Sequence, residues 1–298
     1  MSKGIVLTPD EINTEEVITV INPFPINLLD HRSPTLSPQL KKKILFEKYK
    51  NRIIADGIET GQLVLTEDGS YRFFSKQSAS SLTGFIFEAY LVDKFNLNRN
   101  SRLTAFQWAT ERSTGWSTSG FEGYIAVGTG LLTTKNKYVS HYEPQSNADI
   151  IFLRKNPLHN VMEYALVHKQ QIQAQIQVKS INGNFKQEII GPVLSGKYQR
   201  VITMLSDAYG EPSWKKCHTI LSNMKRAGTL SIEEHSYATE RIQGPEFFSL
   251  SQLDVNDYYE FIQDWYTGRV KRGHEYTEQA VEQEISQYKY ENGLLVPL

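Results

Sequence analysis

The sequence contains very little cysteine and no excess of charge of either sign. Its 298 residues include one cysteine, Cys217, which excludes an intramolecular disulfide and a cysteine-rich zinc site. We expect Cys217 to be a small core residue. The formal net charge at pH 7 is −1, from 32 Lys and Arg against 33 Asp and Glu. Because there is no global basic field, binding to nucleic acid would require a local basic patch.

Long apolar runs and paired histidines are also missing. No apolar run approaches the ~20 residues that cross a bilayer, and the first residues lack the pattern of a secretory signal. We therefore expect a cytoplasmic protein. The histidines show no paired spacing of the HxxxH kind, which argues against a histidine-based metal site. The positions considered are His141, His159, His168, His218, His235 and His274.

The remaining composition is typical of a globular protein. Hydrophobic residues make up 40% and aromatic residues 11% of the chain, and its length suits one large domain or two modest ones. Ser37 and Pro38 predict the start of a first helix, with Gly57 as its stop. A second helix is predicted from about Ser80 to Phe95.

The first predicted helix is basic over much of its surface. The simpler interpretation is a solvated face, and the alternative is a helix that contacts phosphates. Beyond this helix, turn residues between two short apolar runs predict a β-hairpin over 61–74. The basic residues of the helix are Lys41, Lys42, Lys43, Lys48, Lys50 and Arg52.

The segment 100–146 is rich in Ser, Thr, Gly and aromatic residues. This composition favours strands and loops that lie over a substrate, with Trp108, Trp116 and Tyr124 as candidates for exposed aromatic side chains.

Further along the chain, the patterns predict a helix over 194–208 that carries Lys197 and Arg200. Two more helices are predicted, one ending near Ala227 at the Gly228 stop and one over 254–265. We interpret the Glu233-Glu234-His235 cluster as a solvated turn.

The candidate site lies in the segment from Asn147 to Ser180. Asp149 leads into an apolar run that predicts a strand, and residues 175–179 alternate so that Gln177 and Lys179 point to one face of a second strand. The thirty positions between Asp149 and Lys179 leave room for a connection that makes the two strands neighbours. A carboxylate, an amide carbonyl and an ammonium at one sheet edge suit binding of a hard divalent cation and orientation of a water.

A further carboxylate, Glu88, stands among the apolar positions of the second predicted helix. Burial of a carboxylate is costly without a partner. One interpretation is that Glu88 lies at the edge of the apolar stripe or pairs with a nearby Arg or Lys. The functional interpretation is that it points into a cleft and helps to hold a cation.

Together these residues resemble the PD-(D/E)XK nuclease superfamily. The resemblance is carried by Glu88 on a helix, Asp149 before a strand and Gln177-Val178-Lys179 in the next strand, and it covers roughly residues 85–205. It is closest to the branch in which Gln replaces the second acidic residue, as in Mrr-like restriction nucleases. The sequence departs from the main pattern at Ala148, where Pro is usual, and at the neutral Gln177.

The resemblance implies an α/β fold, with a restriction-endonuclease-like core whose central mixed β-sheet is flanked by helices. The core is expected over 75–210. An N-terminal elaboration of strands and a basic helix is expected over 1–74 and a C-terminal α/β elaboration over 211–298, with soft boundaries that also permit one domain.

The resemblance also implies roles for the site residues. Asp149 is implied as the central metal ligand, with Gln177 binding through its amide oxygen and Val178 through its backbone carbonyl. Glu88 is implied to reach the metal directly or through water. Lys179 is implied to orient the attacking water and to stabilise charge on the phosphate. Because Gln177 is neutral, we expect the affinity for the cation to depend more on Glu88 and Asp149.

The implied activity is that of a Mg²⁺-dependent DNA endonuclease of restriction, defence or mobile elements, in which Mn²⁺ can substitute. A homodimer is implied for duplex cleavage. The alternatives are a catalytically inactive nucleic-acid-binding protein on the same fold and an RNA-cleaving toxin nuclease. A purely structural alternative is that Asp149 and Lys179 form a salt bridge on a solvated sheet face.

Overall fold

The structure is a computed structural model, and a large part of the chain is described in it. Within that part, no helix combines the length and the apolar character needed to cross a membrane. The predicted exposed aromatic Trp116 lies outside the described residues. The described ranges are 30–34, 36–65, 71–73, 78–112, 120–207, 209–266, 288–291 and 294–297.

The chain divides into two compact units. One consists of residues 1–47 with 277–298 and the other of residues 48–276. The unit 48–276 contains Glu88, Asp149 and Lys179. The domain boundaries proposed at 74 and 210 stay a prediction.

Helices and strands alternate along most of the described chain. A single turn of π-helix, Lys186–Ile190, leads directly into α5. The α-helices are α1 Pro38–Glu59, α2 Ala79–Leu97, α3 Arg99–Thr110, α4 Leu132–Lys137, α5 Gly191–Leu194, α6 Ser213–Arg226, α7 Ile232–Arg241 and α8 Gln252–Tyr266. The strands are β1 Leu63–Leu65, β2 Tyr71–Phe73, β3 Tyr124–Gly128, β4 Ile150–Lys155, β5 Met162–Tyr164, β6 Gln175–Lys179, β7 Val201–Thr203, β8 Ile242–Gln243, β9 Tyr288–Glu291 and β10 Leu294–Pro297.

The central sheet is mixed and open. Its order is β3-β4-β6-β7-β8, and β5 pairs with β4. The pairs β3–β4 and β4–β6 are antiparallel, whereas β6–β7 and β7–β8 are parallel. The predicted α/β class with a central mixed sheet flanked by helices is therefore confirmed. The predicted hairpin is confirmed too, because β1 and β2 pair antiparallel.

The first two predicted helices are confirmed, and local signals explain where they begin. The Leu40 amide donates to Ser37 Oγ at 3.1 Å at the start of α1, and Ser78 accepts from the Ser81 amide at the start of α2. The predicted stop at Gly57 is wrong, because α1 continues to Glu59. Gly57 is needed for close packing instead, since a Cβ there would lie 2.8 Å from Leu63 Cβ.

The prediction of strands and loops after residue 100 is wrong for its first part, which forms α3. The signal missed is the N-cap Asn98, whose side chain accepts from the Asn100 and Ser101 amides at 2.9 and 3.1 Å. The two aromatic candidates that the structure describes, Trp108 and Tyr124, are not free surface residues either. Tyr124 is 8% exposed, and Trp108 is half-buried, with its ring against Phe247 and Phe248. Because their rings pack inside the fold, they offer little surface for stacking.

The predicted helix over 194–208 is also wrong. α5 ends at Leu194, Gly196 adopts a left-handed φ of +76°, and β7 follows. A short β-branched run that lies between two parallel strands is buried on both faces, so periodicity cannot separate it from a helix. Arg200 points away from solvent and pairs with Glu111 at 2.8 Å.

The Glu233-Glu234-His235 cluster is part of α7 and not a solvated turn. The capping interactions are reciprocal, because the Glu234 amide donates to Ser231 Oγ and the Ser231 amide donates to Glu234 Oε2. Such a capping box starts a helix. The helices predicted before Gly228 and over 254–265 are confirmed as α6 and α8, and Cys217 is a buried core residue as expected.

Helix α2 is attached to the edge strand of the sheet. Asn96 Nδ2 donates to the Ala126 carbonyl at 2.8 Å, and the Ala126 amide donates to Asn96 Oδ1 at 3.0 Å. These bonds occupy backbone groups of β3 that an edge strand otherwise leaves unpaired. Since Glu88 lies about two turns earlier on the same helix, the attachment also fixes the height of Glu88 along the sheet.

The basic face of α1 is partly engaged within the protein. Arg52 is not solvated, because it donates to both oxygens of buried Asp56 at 2.7 and 2.6 Å and pairs with Asp93. Tyr258 Oη donates to the same Asp56 at 2.7 Å. Burial raises the pKa of Asp56 to about 6, against the opposing effects of Arg52 and Tyr258.

Replacing Tyr258→Phe removes a donor to Asp56 and should destabilise the fold by about 1–2 kcal/mol at pH 8. A carboxyl whose pKa is raised by folding contributes stability at low pH that is lost as pH rises through its folded pKa. The variant raises that pKa further, so we expect a smaller cost at pH 5, where Asp56 is already largely protonated. Urea unfolding at both pH values measures the difference. Tyr259→Phe on the same helix is the matched control, and equal costs at pH 5 and pH 8 would contradict the assignment.

Candidate active site

Asp149 is held by backbone bonds on both sides at the start of β4. Its amide donates to the Ile176 carbonyl at 2.9 Å, and its carbonyl accepts from the Thr129 amide at 2.9 Å. These bonds connect it to β6 on one side and to the end of β3 on the other. Asp149 is 9% exposed, so its side chain projects into the structure from a rigid position.

Strands β4 and β6 stop pairing next to Asp149, and its carboxylate fills the gap between them. The paired positions are Ile150 with Ile176 and Ile151 with Gln175, while β6 continues along β7 to Lys179. The Val178 amide donates to Asp149 Oδ2 at 2.6 Å. The Gln177 amide nitrogen Nε2 donates to the same oxygen. The fold therefore brings three of the predicted site residues, Asp149, Gln177 and Val178, into direct contact.

Lys179 extends from the same face of β6 as Gln177. Both are half-buried, whereas Ile176 and Val178 on the opposite face are buried, as the alternating pattern predicts. Lys179 Nζ lies 4.9 Å from the ring centroid of Tyr198.

The Lys179 ammonium makes no hydrogen bond or ion pair with any residue that the structure describes. The alternative of an Asp149–Lys179 salt bridge is not what these residues form, since Asp149 Oδ2 is bonded to Val178 and Gln177 instead.

Glu88 adds a second carboxylate to this site from α2. It is half-buried, and within the described ranges it has no hydrogen bond or ion pair. Burial raises the pKa of Glu88 well above its ordinary value, and the negative charge of Asp149 raises it further, while Lys179 lowers it. Glu88 is therefore close enough to both residues to interact with them electrostatically.

The pKa of Asp149 is raised as well, to about 7. Burial is the largest cause, and the Val178 amide, the charge of Lys179 and the Gln177 side chain oppose it. Two carboxylates with raised pKa values thus face one ammonium. When both carboxyls are ionised, one ammonium cannot neutralise them, and an added cation would favour their ionised forms.

The available donors are all oxygens, which suits a hard cation such as Mg²⁺. Asp149 Oδ1, the Glu88 carboxylate and the Gln177 amide oxygen are the groups that would hold it, with the Val178 carbonyl beside them. Among the described residues, no group of three or more His, Cys, Asp or Glu side chains is arranged for a metal ion. Glu88 and Asp149 are the only carboxylates among the four residues predicted for the site, because Gln177 carries an amide and Lys179 an ammonium.

One residue of the site was missed by the sequence analysis. Tyr198 contacts Lys179 but falls within the helix predicted over 194–208. The available signal was Gly196, which ends a helix more readily than it continues one. Comparison with known proteins adds no assignment: no family model, no curated protein and no solved structure matches the chain.

We predict that Asp149→Asn stabilises the protein at pH 8 by on the order of 1 kcal/mol, or about 2–4 °C in Tm. Asn removes a buried charge and can still accept from the Val178 amide. Because folding raises the pKa of Asp149 to about 7, the carboxyl costs stability progressively as pH rises from its unfolded pKa to that value, so the gain should be smaller at pH 5 than at pH 8.

Asp149→Ala separates the charge from the hydrogen bond. It leaves the Val178 amide unpaired and should destabilise by about 1–3 kcal/mol at either pH. Thermal unfolding of the three proteins, with Glu233→Gln at the exposed start of α7 as a control, gives the answer. A loss of stability in Asp149→Asn at pH 8 would show that the carboxylate is a net structural contributor.

Proposed function

We propose that this protein is a metal-dependent nuclease with a restriction-endonuclease-like core, and that DNA is its substrate. One observation carries the proposal: the Lys179 ammonium, which has no hydrogen bond or ion pair among the described residues, is close enough to oppose the raised pKa values of both Glu88 and Asp149. A purely structural cluster of these groups would lower its free energy by closing an ion pair. Here Lys179 forms no ion pair with Glu88 or Asp149, so the ammonium and the carboxylates remain available to a ligand.

The order of the elements supports the same proposal. Glu88 is carried by α2, Asp149 opens β4, and Gln177 and Lys179 follow on β6, which leads into the π-turn and α5. This is the succession on which the resemblance to PD-(D/E)XK nucleases rests.

The chemistry of phosphodiester hydrolysis gives each residue a task. A divalent cation held by the site would supply Lewis acidity and a water of lowered pKa. Asp149 and Glu88 would hold the cation, and Gln177 fixes the Asp149 carboxylate. Lys179 donates hydrogen bonds to the phosphate and offsets the charge that develops on it.

DNA is the proposed partner on grounds of charge near the site. Lys197 is exposed and lies next to Tyr198, so a second ammonium accompanies Lys179 on that side. Local lysines of this kind attract a phosphate backbone although the whole chain is nearly neutral. Two protomers acting together would cut both strands, so we propose a homodimer on duplex DNA.

A catalytically inactive nucleic-acid-binding protein is the second candidate, and one contact favours it. Gln177 turns its Nε2 towards Asp149, which satisfies the carboxylate without any cation. Substitution of the second acidic residue also removes one negative charge from the site. Under this alternative Asp149 is a structural acceptor for Val178 and Gln177.

Cleavage of plasmid, linear duplex DNA, single-stranded DNA and RNA with Mg²⁺, Mn²⁺ or EDTA tests the proposal. We expect metal-dependent cutting of duplex DNA, reduced at least about 100-fold by Lys179→Ala because a donor to the developing charge is lost. Lys225→Ala, an exposed lysine in the last turn of α6, is the matched control. Cutting that survives in Lys179→Ala would remove the residue from the mechanism. A wild type that binds DNA but cuts none of the substrates would favour the inactive alternative, and preferential cutting of RNA would favour the toxin.

Gln177→Glu tests whether the site is built for a cation. A third carboxylate beside Asp149 should destabilise the metal-free protein by about 1–2 kcal/mol through like-charge repulsion. It should also strengthen cation binding, so the Mg²⁺-induced rise in Tm should exceed that of the wild type. At a cation concentration of about 100 Kd the stabilisation reaches ~2.7 kcal/mol.

The matched control for this variant is Gln175→Glu, two residues earlier on the same face of β6. We expect it to change neither the metal-free Tm nor the response to Mg²⁺ by a comparable amount. Thermal unfolding with and without Mg²⁺ measures both effects. If Gln177→Glu responds to Mg²⁺ no more than the wild type does, position 177 is not a ligand position.

A further inference from the structure

The ring of Tyr198 is a fixed part of the protein core. Tyr198 is 7% exposed and belongs to the apolar cluster that includes Ile189 and Val193. Its amide donates to the Pro192 carbonyl at 3.1 Å, and the left-handed Gly196 turns the chain back onto α5. The ring therefore has little freedom to move relative to the end of α5.

Two lysines approach this one ring. Lys179 Nζ lies 4.9 Å and Lys197 Nζ 5.2 Å from its centroid. An ammonium within ~6 Å of an aromatic centroid is attracted by the charge distribution of the ring. The two lysines differ in surroundings, because Lys197 is exposed and Lys179 is half-buried beside the carboxylates.

The contact with the ring attracts the Lys179 ammonium in competition with the two carboxylates. Its flexible stem would allow the ammonium to fold onto Glu88 or Asp149, and an ion pair of that kind would occupy the hydrogen-bond donors. An aromatic ring attracts the ammonium electrostatically without accepting a conventional hydrogen bond. Attraction by Tyr198 thus competes with the carboxylates and leaves donors free.

We propose that Tyr198 is a positioning residue that holds the Lys179 ammonium out of an ion pair with Asp149 and Glu88 and so keeps its donors available for a phosphate of the substrate. The claim about the position of Lys179 rests on the contact with the ring. The claim about phosphate rests on the proposed nuclease function.

The position of Lys179 can be measured without metal or substrate. Lysines carrying ¹³C-methyl groups report a nearby ring by an upfield NMR shift, and Lys179→Arg identifies the signal. We expect the shift to be lost in Tyr198→Leu and retained in Tyr198→Phe, which keeps the ring. The Lys197 signal should also lose its shift in Tyr198→Leu, which makes it the positive control for removal of the ring. A Lys179 signal unchanged in Tyr198→Leu would overturn the proposal.

Kinetics then test the consequence for catalysis. Displacement of a catalytic group by about 1 Å can cost roughly 100-fold in rate, so Tyr198→Leu should lower kcat about 10- to 100-fold. KM should stay near the wild-type value, since an interaction of the transition state is lost, and Tyr198→Phe should restore kcat to within about threefold. A Phe variant as slow as Leu, or a Leu variant in which only KM changes, would contradict the role.

The two measurements fail separately. If the wild type cuts nothing, the nuclease proposal fails, while the NMR shift still decides whether Tyr198 positions Lys179. If the wild type cuts and the shift of Lys179 does not depend on the ring, the nuclease proposal stands and the role of Tyr198 is wrong. Unfolding curves for each variant identify any that has lost its fold, and Phe is the conservative substitution in the core.

Discussion

The site depends on one hydrogen bond, from the Val178 amide to Asp149 Oδ2. In a continuous ladder this amide would meet a backbone carbonyl of the neighbouring strand, but β4 begins only at Ile150. The Asp149 carboxylate takes the place of that acceptor, so a charged side chain is built into the hydrogen bonding of the sheet. Because the amide would otherwise be buried and unpaired, the bond fixes where β4 and β6 separate and therefore where Gln177 and Lys179 stand.

Burial makes the site costly to keep charged, although the bond from the Val178 amide opposes this effect at Asp149. Asp149 and Glu88 are largely withdrawn from water and interact electrostatically, and burial is the first cause of the raised pKa in both. Gln177 lowers the cost, since an amide donates to the carboxylate where a second acid would repel it. The amide of Gln177 thus avoids like-charge repulsion beside Asp149, whereas a carboxylate at this position would offer more charge to the cation that we propose. Stability and cation affinity are opposed at this one position.

Local patterns were sufficient to predict that Asp149, Gln177 and Val178 come together, but not that Lys179 contacts Tyr198. Asp149, Gln177 and Lys179 were identified because an alternating strand and a carboxylate before an apolar run are visible within a few residues. Tyr198 and β7 were missed because their role depends on contacts with β6, twenty or so positions earlier, and a buried strand of three residues has no period of its own. The helix α3 was missed for another reason: its N-cap Asn98 was a readable signal, and the polar composition that follows outweighed it.

The unpaired charges argue against a site that serves structure alone. A buried or half-buried carboxylate destabilises a fold unless a partner compensates it, and within the described part of the chain Glu88 has no bonded partner. Lys179 could supply one, since it is close enough to lower the pKa of Glu88, yet its Nζ lies 4.9 Å from the ring centroid of Tyr198 and forms no ion pair among the described residues. A structural network is stabilised by closing such pairs, as Arg52 and Asp56 do elsewhere in the same molecule. The proposal of a bound cation and a phosphate rests on this contrast between the two clusters, because the two ligands together would neutralise both signs of charge.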